Sequence, residues 1–134
     1  MAVSSENKKV RNATRVVVDG IQFRSKTEGY AWGFAKALGV PLRYEAVTFR
    51  LLEKFRYQGK AIRAITHTPD FVDVQEPPRF ILEVKGYAND TYPLYQKLLF
   101  RHLLDQGQEP AFYLATNQKQ VREALALIHA RFIK

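Results

Sequence analysis

Short runs of alternating apolar and polar residues dominate the first two thirds of the chain, a pattern that is typical of β-strands. Residues 15–23 carry short apolar segments on both sides of Asp19–Gly20, which favours a short hairpin with these two residues at its turn. Residues 42–52 alternate twice, and the shift of phase between the two runs indicates a β-bulge. Gln58–Gly59 then predicts a turn that brings residues 60–66 back as an antiparallel partner.

Three other segments repeat their apolar residues every three or four positions, which is the period of an amphipathic helix. The first helix is predicted from Thr27 to about Leu38 and ends at Gly39, the second runs from about Pro93 to Gln106, and the third follows Asn117 as its cap. The residues expected to face the core are Tyr30, Phe34 and Leu38 in the first helix, Leu94, Leu98 and Leu104 in the second, and Val121, Leu125 and Ile128 in the third.

The order of these elements predicts an α/β domain in which helices flank a mixed β-sheet. Residues 110–116 read as a buried strand between the last two helices. Residues 1–14 are polar, carry Lys8, Lys9 and Arg11, and lack apolar periodicity. We therefore expect a flexible basic arm over residues 1–14 and a single domain over residues 15–134.

The candidate chemistry is concentrated on two neighbouring predicted strands. Asp70 stands at the start of one strand, and the next strand, residues 80–85, ends in Glu83 and Lys85. Side chains alternate along a strand, so Glu83 and Lys85 share one face. If the strands pair through the turn at residues 75–78, all three side chains meet at the open end of a hairpin.

Two carboxylates that lie a few ångströms apart repel each other unless a cation lies between them, and Mg²⁺ or Mn²⁺ suits such an oxygen-rich site. The cation activates a water molecule and neutralises the charge that develops on a phosphoryl group during phosphodiester cleavage. A nearby ammonium group such as that of Lys85 can orient the nucleophile.

At these residues the chain resembles the PD-(D/E)xK nuclease superfamily, with Pro69–Asp70 as the first part of the motif and Glu83–Lys85 as the second. Members carry a further glutamate on the helix that precedes the sheet, and Glu28 matches it. Within the superfamily, residues 23–104 are most similar to the phage-type endonuclease I Holliday-junction resolvases.

This resemblance implies a restriction-endonuclease-like core and a Mg²⁺-dependent endodeoxyribonuclease, with Mn²⁺ as a substitute, that cuts branched DNA as a symmetric homodimer. Asp70 and Glu83 would hold the metal ion, and the main-chain carbonyl of Val84 would complete the coordination. Glu28 would assist through the metal or its water, and Lys85 would position the nucleophile.

The charge balance favours a polyanionic partner. The formal net charge is +8 and the sequence pI is about 9.8, which suits nucleic acid and predicts binding that weakens as salt rises. The basic residues Arg50, Lys54, Arg56, Lys60 and Arg63 cluster on the central hairpin, as a DNA-binding ribbon or as a solvated edge protected by charge. The side chains expected to contact DNA are Lys8, Lys9, Arg11, Lys26, His67, Lys97 and Arg101.

Other features narrow the class of protein further. The absence of cysteine excludes a disulfide scaffold, thiolate zinc sites and cysteine nucleophiles. No run approaches the roughly 20 apolar residues of a membrane span, and the polar N-terminus is unlike a signal peptide, so we expect a cytoplasmic protein without membrane association. For a phage-encoded protein that would be the host cytoplasm.

Several alternatives stay open at the level of sequence. Ser25 and Glu28 also form the pattern of a capping box, so Glu28 has a structural as well as a catalytic interpretation. A transposon-type, restriction-type or repair endonuclease that cuts duplex DNA would use the same residues. A non-catalytic DNA-binding module could keep the same fold and basic surface.

Overall fold

The computed structural model describes residues 14–85 and 91–133, within which ten strands and three helices follow one another. The predicted basic arm with Lys8, Lys9 and Arg11 lies outside the described residues, apart from Thr14. The elements are β1 (Val16–Val18), β2 (Ile21–Phe23), α1 (Lys26–Leu38), β3 (Leu42–Tyr44), β4 (Phe49–Leu52), β5 (Phe55–Tyr57), β6 (Lys60–Ile62), β7 (Ile65–His67), β8 (Phe71–Asp73), β9 (Phe80–Val84), α2 (Tyr92–Asp105), β10 (Ala111–Ala115) and α3 (Gln118–Phe132).

A four-stranded mixed sheet forms the centre of the domain, in the order β10-β9-β8-β3. β8 pairs antiparallel with both β3 and β9, whereas β9 and β10 run parallel. The parallel pair is joined through α2, since a crossover is needed to bring the chain back in the same direction. The α/β fold with a mixed sheet and helices is therefore confirmed, and so is the hairpin that pairs Phe71 with Leu82.

The two faces of the sheet are packed differently. On one face, Phe71 and Leu82 join Leu125 and Ile128 of α3 and small residues of α1 in the larger core cluster. On the other face, Val72 and Ile81 pack with Leu99 and Leu103 of α2, and Phe49 of β4 covers their edge. Because neighbouring residues of a strand point to opposite faces, Asp70 and Glu83 belong to the second, more thinly covered face.

The first helix is fixed at both ends. The hydroxyl of Ser25 accepts a hydrogen bond from the amide of Glu28, and Gly39 ends the helix in the left-handed conformation at φ 77°. The β1–β2 hairpin lies directly against this helix at Gly29, where a Cβ atom would stand 2.5 Å from Cγ2 of Val16. A glycine is therefore required for the hairpin to approach the start of α1 so closely.

The core-facing stripe of α2 differs from the prediction. Leu94 and Leu104 are exposed, whereas Leu99 and Leu103 are buried against the sheet. The helix carries apolar residues on most of its surface, so its periodicity allows more than one stripe, and packing against Val72 and Ile81 selects between them.

Two further predictions about strands need correction. The strand predicted as buried over residues 110–116 is an edge strand, in which Ala115 is buried and Leu114 is exposed. The change of phase within residues 42–52 is not a bulge in one strand. The chain leaves the main sheet at Glu45 (φ 48°), and at Phe49 it starts β4, which pairs with β7 in a separate two-stranded sheet. The pairing of β4 with β7 does contain a shift of register, between Arg50 and Leu52.

Candidate functional site

Asp70 and Glu83 are held together at one end of the β8–β9 hairpin. The amide of Val84 donates to Oδ2 of Asp70 at 2.8 Å, and the amide of Asp70 donates to Oε1 of Glu83 at 3.3 Å. Both side chains are buried, with Glu83 fully inaccessible to solvent. The sheet therefore orients each carboxylate through the backbone of the neighbouring strand.

This arrangement leaves the two carboxylates short of compensating positive charge. Burial, together with the negative charges of Glu83 and Glu28, raises the pKa of Asp70 to about 8. Lys85 and the amide of Val84 act in the opposite direction but do not offset these effects. A cation placed beside Asp70 and Glu83 would relieve the repulsion.

Glu28 reaches the site from α1 and also supports the start of that helix. Its Oε1 accepts hydrogen bonds from the amide of Arg24 at 3.1 Å and from the hydroxyl of Tyr44 at 2.7 Å. Ser25 is the N-cap as predicted, but the Glu28 carboxylate bonds to the amide of Arg24, one residue before the position that a capping box would use. A capping role and an electrostatic role at Asp70 are thus combined in one side chain.

His67 lies inside the site, at the end of β7. Its Nε2 forms a hydrogen bond with Oε2 of Glu83, and its ring lies 6.2 Å from the rings of Tyr92 and Tyr95, measured between centroids. The side chain is almost fully shielded from solvent. Sequence reasoning assigned His67 to DNA contact, whereas the structure shows it holding the second oxygen of Glu83.

Lys85 and Tyr92 form the rim of the site. Nζ of Lys85 lies 4.7 Å from the centroid of the Tyr92 ring, which is a cation–π distance. The hydroxyl of Tyr92 is buried and has no hydrogen-bond partner within the described part of the chain. Burial raises its pKa, as do the charges of Glu83 and Asp70, so the group is a proton donor at neutral pH.

Tyr92 was not predicted as a site residue. The available signal was its position at the first turn of the helix that follows the Glu83–Lys85 strand, where a side chain can face back toward the end of that strand. Its aromatic ring alone gave no reason to separate it from Tyr87 or Tyr95.

The donor set matches a magnesium-type cation. Within residues 14–85 and 91–133, no three His, Asp or Glu side chains form a group that could hold a metal by themselves. Mg²⁺ requires fewer protein ligands, because it commonly binds one or two carboxylates and keeps water or phosphate oxygens for its other positions. Asp70 and Glu83 meet that requirement, whereas a zinc site would require three or four protein ligands.

The backbone hydrogen bonds around Val84 show toward which side of β9 its carbonyl is directed. The amide of Lys85 donates to the carbonyl of Ala115 on β10, so residue 85 faces that strand. The amide of Val84 faces the opposite side, where it donates to Asp70. Since the amide and carbonyl of one strand residue project to the same side, the Val84 carbonyl is directed toward the Asp70 side.

The other described basic residues proposed for DNA contact are on the surface of the domain. Lys26, Lys97 and Arg101 are exposed, and Arg101 forms an ion pair with Asp105 at 2.9 Å, one helical turn further along α2. Part of the charge of Arg101 is therefore already compensated.

None of the helices in the described residues has the length and apolarity that a membrane span requires.

Comparison with known proteins identifies a family. A family profile described as "protein of unknown function (DUF1064)" matches residues 8–109, and the chain belongs to this family. The matched region contains every residue of the cluster, from Glu28 to Tyr92, and ends before β10 and α3. No curated protein and no solved structure matches the chain.

Proposed function

We propose that this member of the DUF1064 family is a metal-dependent endodeoxyribonuclease that hydrolyses phosphodiesters in branched DNA. The observation that carries the proposal is the buried pair Asp70 and Glu83, oriented by the backbone at a strand end, with Glu28 beside it and Lys85 two residues after Glu83. Burial of like charges costs folding free energy, so a binding role is the simplest reason to place them together.

In this proposal Asp70 and Glu83 hold Mg²⁺, with the carbonyl of Val84 as a further ligand. The bound ion would supply the Lewis acidity that phosphodiester hydrolysis needs. Val84 keeps the Asp70 carboxylate in a fixed orientation through its amide, and His67 does the same for Glu83. Such outer contacts set the direction and basicity of ligands.

Lys85 and Glu28 complete the arrangement. The ammonium group of Lys85 stands over the Tyr92 ring at the rim, where it is placed to orient a water molecule or to stabilise charge on a scissile phosphate. Glu28 adds negative charge at Asp70 and is held by the hydroxyl of Tyr44. Its position suits assistance through the metal-bound water.

The choice of DNA is supported by the net charge of +8, and the choice of a branched substrate by the resemblance to the phage-type resolvases. A positively charged protein binds any DNA through its phosphates, so charge alone does not select a junction. A symmetric homodimer would present two centres to the two strands that a resolvase cuts. The homodimer and the substrate are therefore parts of the proposal that need their own test.

The test is cleavage of a labelled four-way junction, a linear duplex and a single strand, each in Mg²⁺, Mn²⁺ or chelator, by the wild type and by Asp70→Asn. The proposal requires metal-dependent cutting that favours the junction and is lost in Asp70→Asn. Cutting of the duplex with equal efficiency would move the function to the transposon, restriction or repair type. Binding without cleavage in any metal would leave a DNA-binding module.

A further inference from the structure

The β5–β6 ribbon is the part of the domain that is least covered by the rest of the chain. Every residue from Leu52 to Ala61 is exposed, and within the described residues the two strands pack mainly against each other. Gln58 and Gly59 form its two-residue turn with φ angles of 50° and 78°, as a tight hairpin requires. An isolated two-stranded ribbon is only marginally stable in water, so a surface that binds it would add to its order.

The pairing register separates the side chains of the ribbon onto two faces. Phe55 is opposite Ile62 and Tyr57 is opposite Lys60, whereas Arg56 is opposite Ala61. Directly opposed residues project to the same side, so one face carries both aromatic rings and Lys60, and the other carries Arg56. Phe55 is 46% exposed and Tyr57 is 64% exposed, and neither belongs to the core clusters of the described chain.

Charge determines which partner fits this surface. The basic residues Arg50, Lys54, Arg56, Lys60 and Arg63 are exposed along the ribbon and its base, against a single acidic residue, Glu53, which pairs with Arg50 at 3.7 Å. A second copy of the chain would bring the same positive charge to a ribbon-to-ribbon contact. A polyanion that also carries flat apolar groups can pair with the basic side chains and stack on the aromatic rings.

We infer that the β5–β6 ribbon binds DNA whose bases are unstacked, with Phe55 and Tyr57 stacked on bases and the neighbouring Lys and Arg side chains on phosphates. Stacking needs an accessible base face, which a junction centre or a single strand offers and a regular duplex does not. The inference extends the proposed function by assigning its substrate preference to this ribbon, and it takes nucleic acid as the partner from that proposal.

The connection between the ribbon and the cluster supports this assignment. The strand that returns from the ribbon continues into β7, whose last residue, His67, bonds to Glu83. His67 is eight positions after Gly59, so an extended chain places the turn at most about 26 Å from the cluster. One DNA branch point can therefore lie on the ribbon while a phosphate several nucleotides away lies at Asp70 and Glu83.

The experiment is fluorescence anisotropy with the full chain in chelator, so that binding is measured without cleavage. The double variant Phe55→Ala/Tyr57→Ala should bind the four-way junction and a single strand about 10- to 100-fold more weakly and leave duplex binding close to the wild type. Tyr57→Phe, which keeps the ring, should bind all three DNAs like the wild type. Leu127→Ala, at an exposed apolar residue of α3, is the matched control.

A second pair of variants tests the phosphate contacts. Arg56→Ala/Lys60→Ala should weaken binding to all three DNAs and lower the slope of log affinity against log salt by about one for each phosphate that is no longer neutralised. Lys119→Ala, at an exposed lysine of α3, should leave the slope unchanged. Melting temperatures show whether each variant is folded, and the ribbon's limited packing predicts that all are.

Two results would overturn the inference: wild-type junction binding by the aromatic double variant, or equal weakening for duplex and junction in that variant. Wild-type DNA binding by that variant together with loss of a dimer would make a second copy the partner of the ribbon. Because no step depends on cutting, the ribbon inference can hold even if the nuclease proposal fails in the cleavage assay, and the reverse is equally possible.

Discussion

The two buried aspartates at opposite ends of β8 have opposite electrostatic surroundings. Asp73 is fully inaccessible, and Arg79 donates to it from its amide at 3.0 Å and from its guanidinium at 2.6 and 3.1 Å. Burial would raise the pKa of Asp73, but these hydrogen bonds and the charge of Arg79 bring it below its usual value. Asp70 instead lies beside Glu83 and Glu28, and burial together with these charges raises its pKa to about 8.

The difference separates a structural carboxylate from one that is prepared for a ligand. At the Asp73 end the chain supplies its own cation, and Arg79 further donates to the carbonyl of Phe132 at the end of α3, which ties two elements together. At the Asp70 end the cation that acts on the pair is Lys85, which does not neutralise it. A buried acid that the fold leaves uncompensated is a stronger sign of a binding site than burial alone.

The largest expected effect comes from replacing Lys85 and Arg79, the cations that act on Asp70 and Asp73, with alanine. Under the proposed function, Lys85→Ala should lower the rate of junction cleavage roughly 100-fold or more, because it would remove the charge that we propose acts on the reacting phosphate. Binding of the junction and the melting temperature should change little, since Lys85 lies at the rim over Tyr92. Single-turnover cleavage and anisotropy on the same samples measure both quantities.

Arg79→Ala is the matched control for that experiment. It removes the partner of Asp73 and should lower the melting temperature, while any loss of cleavage should follow the fraction of unfolded protein. If Lys85→Ala instead lost stability as Arg79→Ala does, Lys85 would be a structural residue.

The next prediction concerns the stability of the two aspartate variants without metal. Asp73→Asn should destabilise the fold by about 2 kcal/mol, because the charge that Arg79 faces is removed. Asp70→Asn should stabilise it at pH 7 by up to about 2 kcal/mol, since the amide oxygen can still accept from Val84 while the folded state no longer has to bind a proton at a carboxyl group whose pKa is about 8. Urea denaturation in chelator measures both, and a loss of stability in Asp70→Asn would contradict the uncompensated charge.

The same comparison predicts a pH dependence of stability. The pKa of Asp70 is about 8 in the folded protein against 3.8 ordinarily, so between about pH 4 and pH 8 the folded state binds more protons than the unfolded state. The free energy of unfolding should therefore fall as the pH rises across this range. Asp70→Asn should abolish this fall. Denaturation curves at several pH values in chelator, taken as the wild type minus Asp70→Asn, isolate this contribution, and a flat difference would contradict it.

The smallest effect is expected at Tyr92. Tyr92→Phe keeps the ring beneath Lys85 and removes a buried hydroxyl that has no partner among the described residues. Stability should be unchanged or slightly higher, while cleavage should fall about fivefold if the hydroxyl donates one hydrogen bond to the substrate. Equal cleavage by Tyr92→Phe and the wild type would limit the role of Tyr92 to its ring.

The sequence predicts the backbone of the site well because local signals are strong there. The turn between Asp73 and Phe80 and the alternation along β9 are enough to bring Asp70 and Glu83 together, as the structure shows. The cap at Ser25 likewise fixes where α1 begins and so where Glu28 points. Each of these depends on residues that are close in the chain.

Contacts between distant segments were not predictable in the same way. The hydrogen bond between His67 and Glu83 depends on where β7 returns toward the main sheet after the β5–β6 ribbon. The position of Tyr92 depends on which stripe of α2 packs against that sheet. Leu94 and Leu99 are equally apolar, and only the shape of the sheet surface distinguishes them. The metal, the substrate and the dimer stay predictions.

The parallel pairing of β9 with β10 has a consequence for a chain that is still being synthesised. Asp70 and Glu83 are made well before α2 can lay Leu99 and Leu103 across the sheet and before β10 can join β9. Until α2 covers this face of the sheet, we expect both carboxylates to stay accessible to water, although the β8–β9 hairpin already holds them together. Under the proposed function, we expect an unfinished chain to carry the catalytic residues in a site that is still open to water, and to gain its full cutting activity only when α2 and β10 are in place.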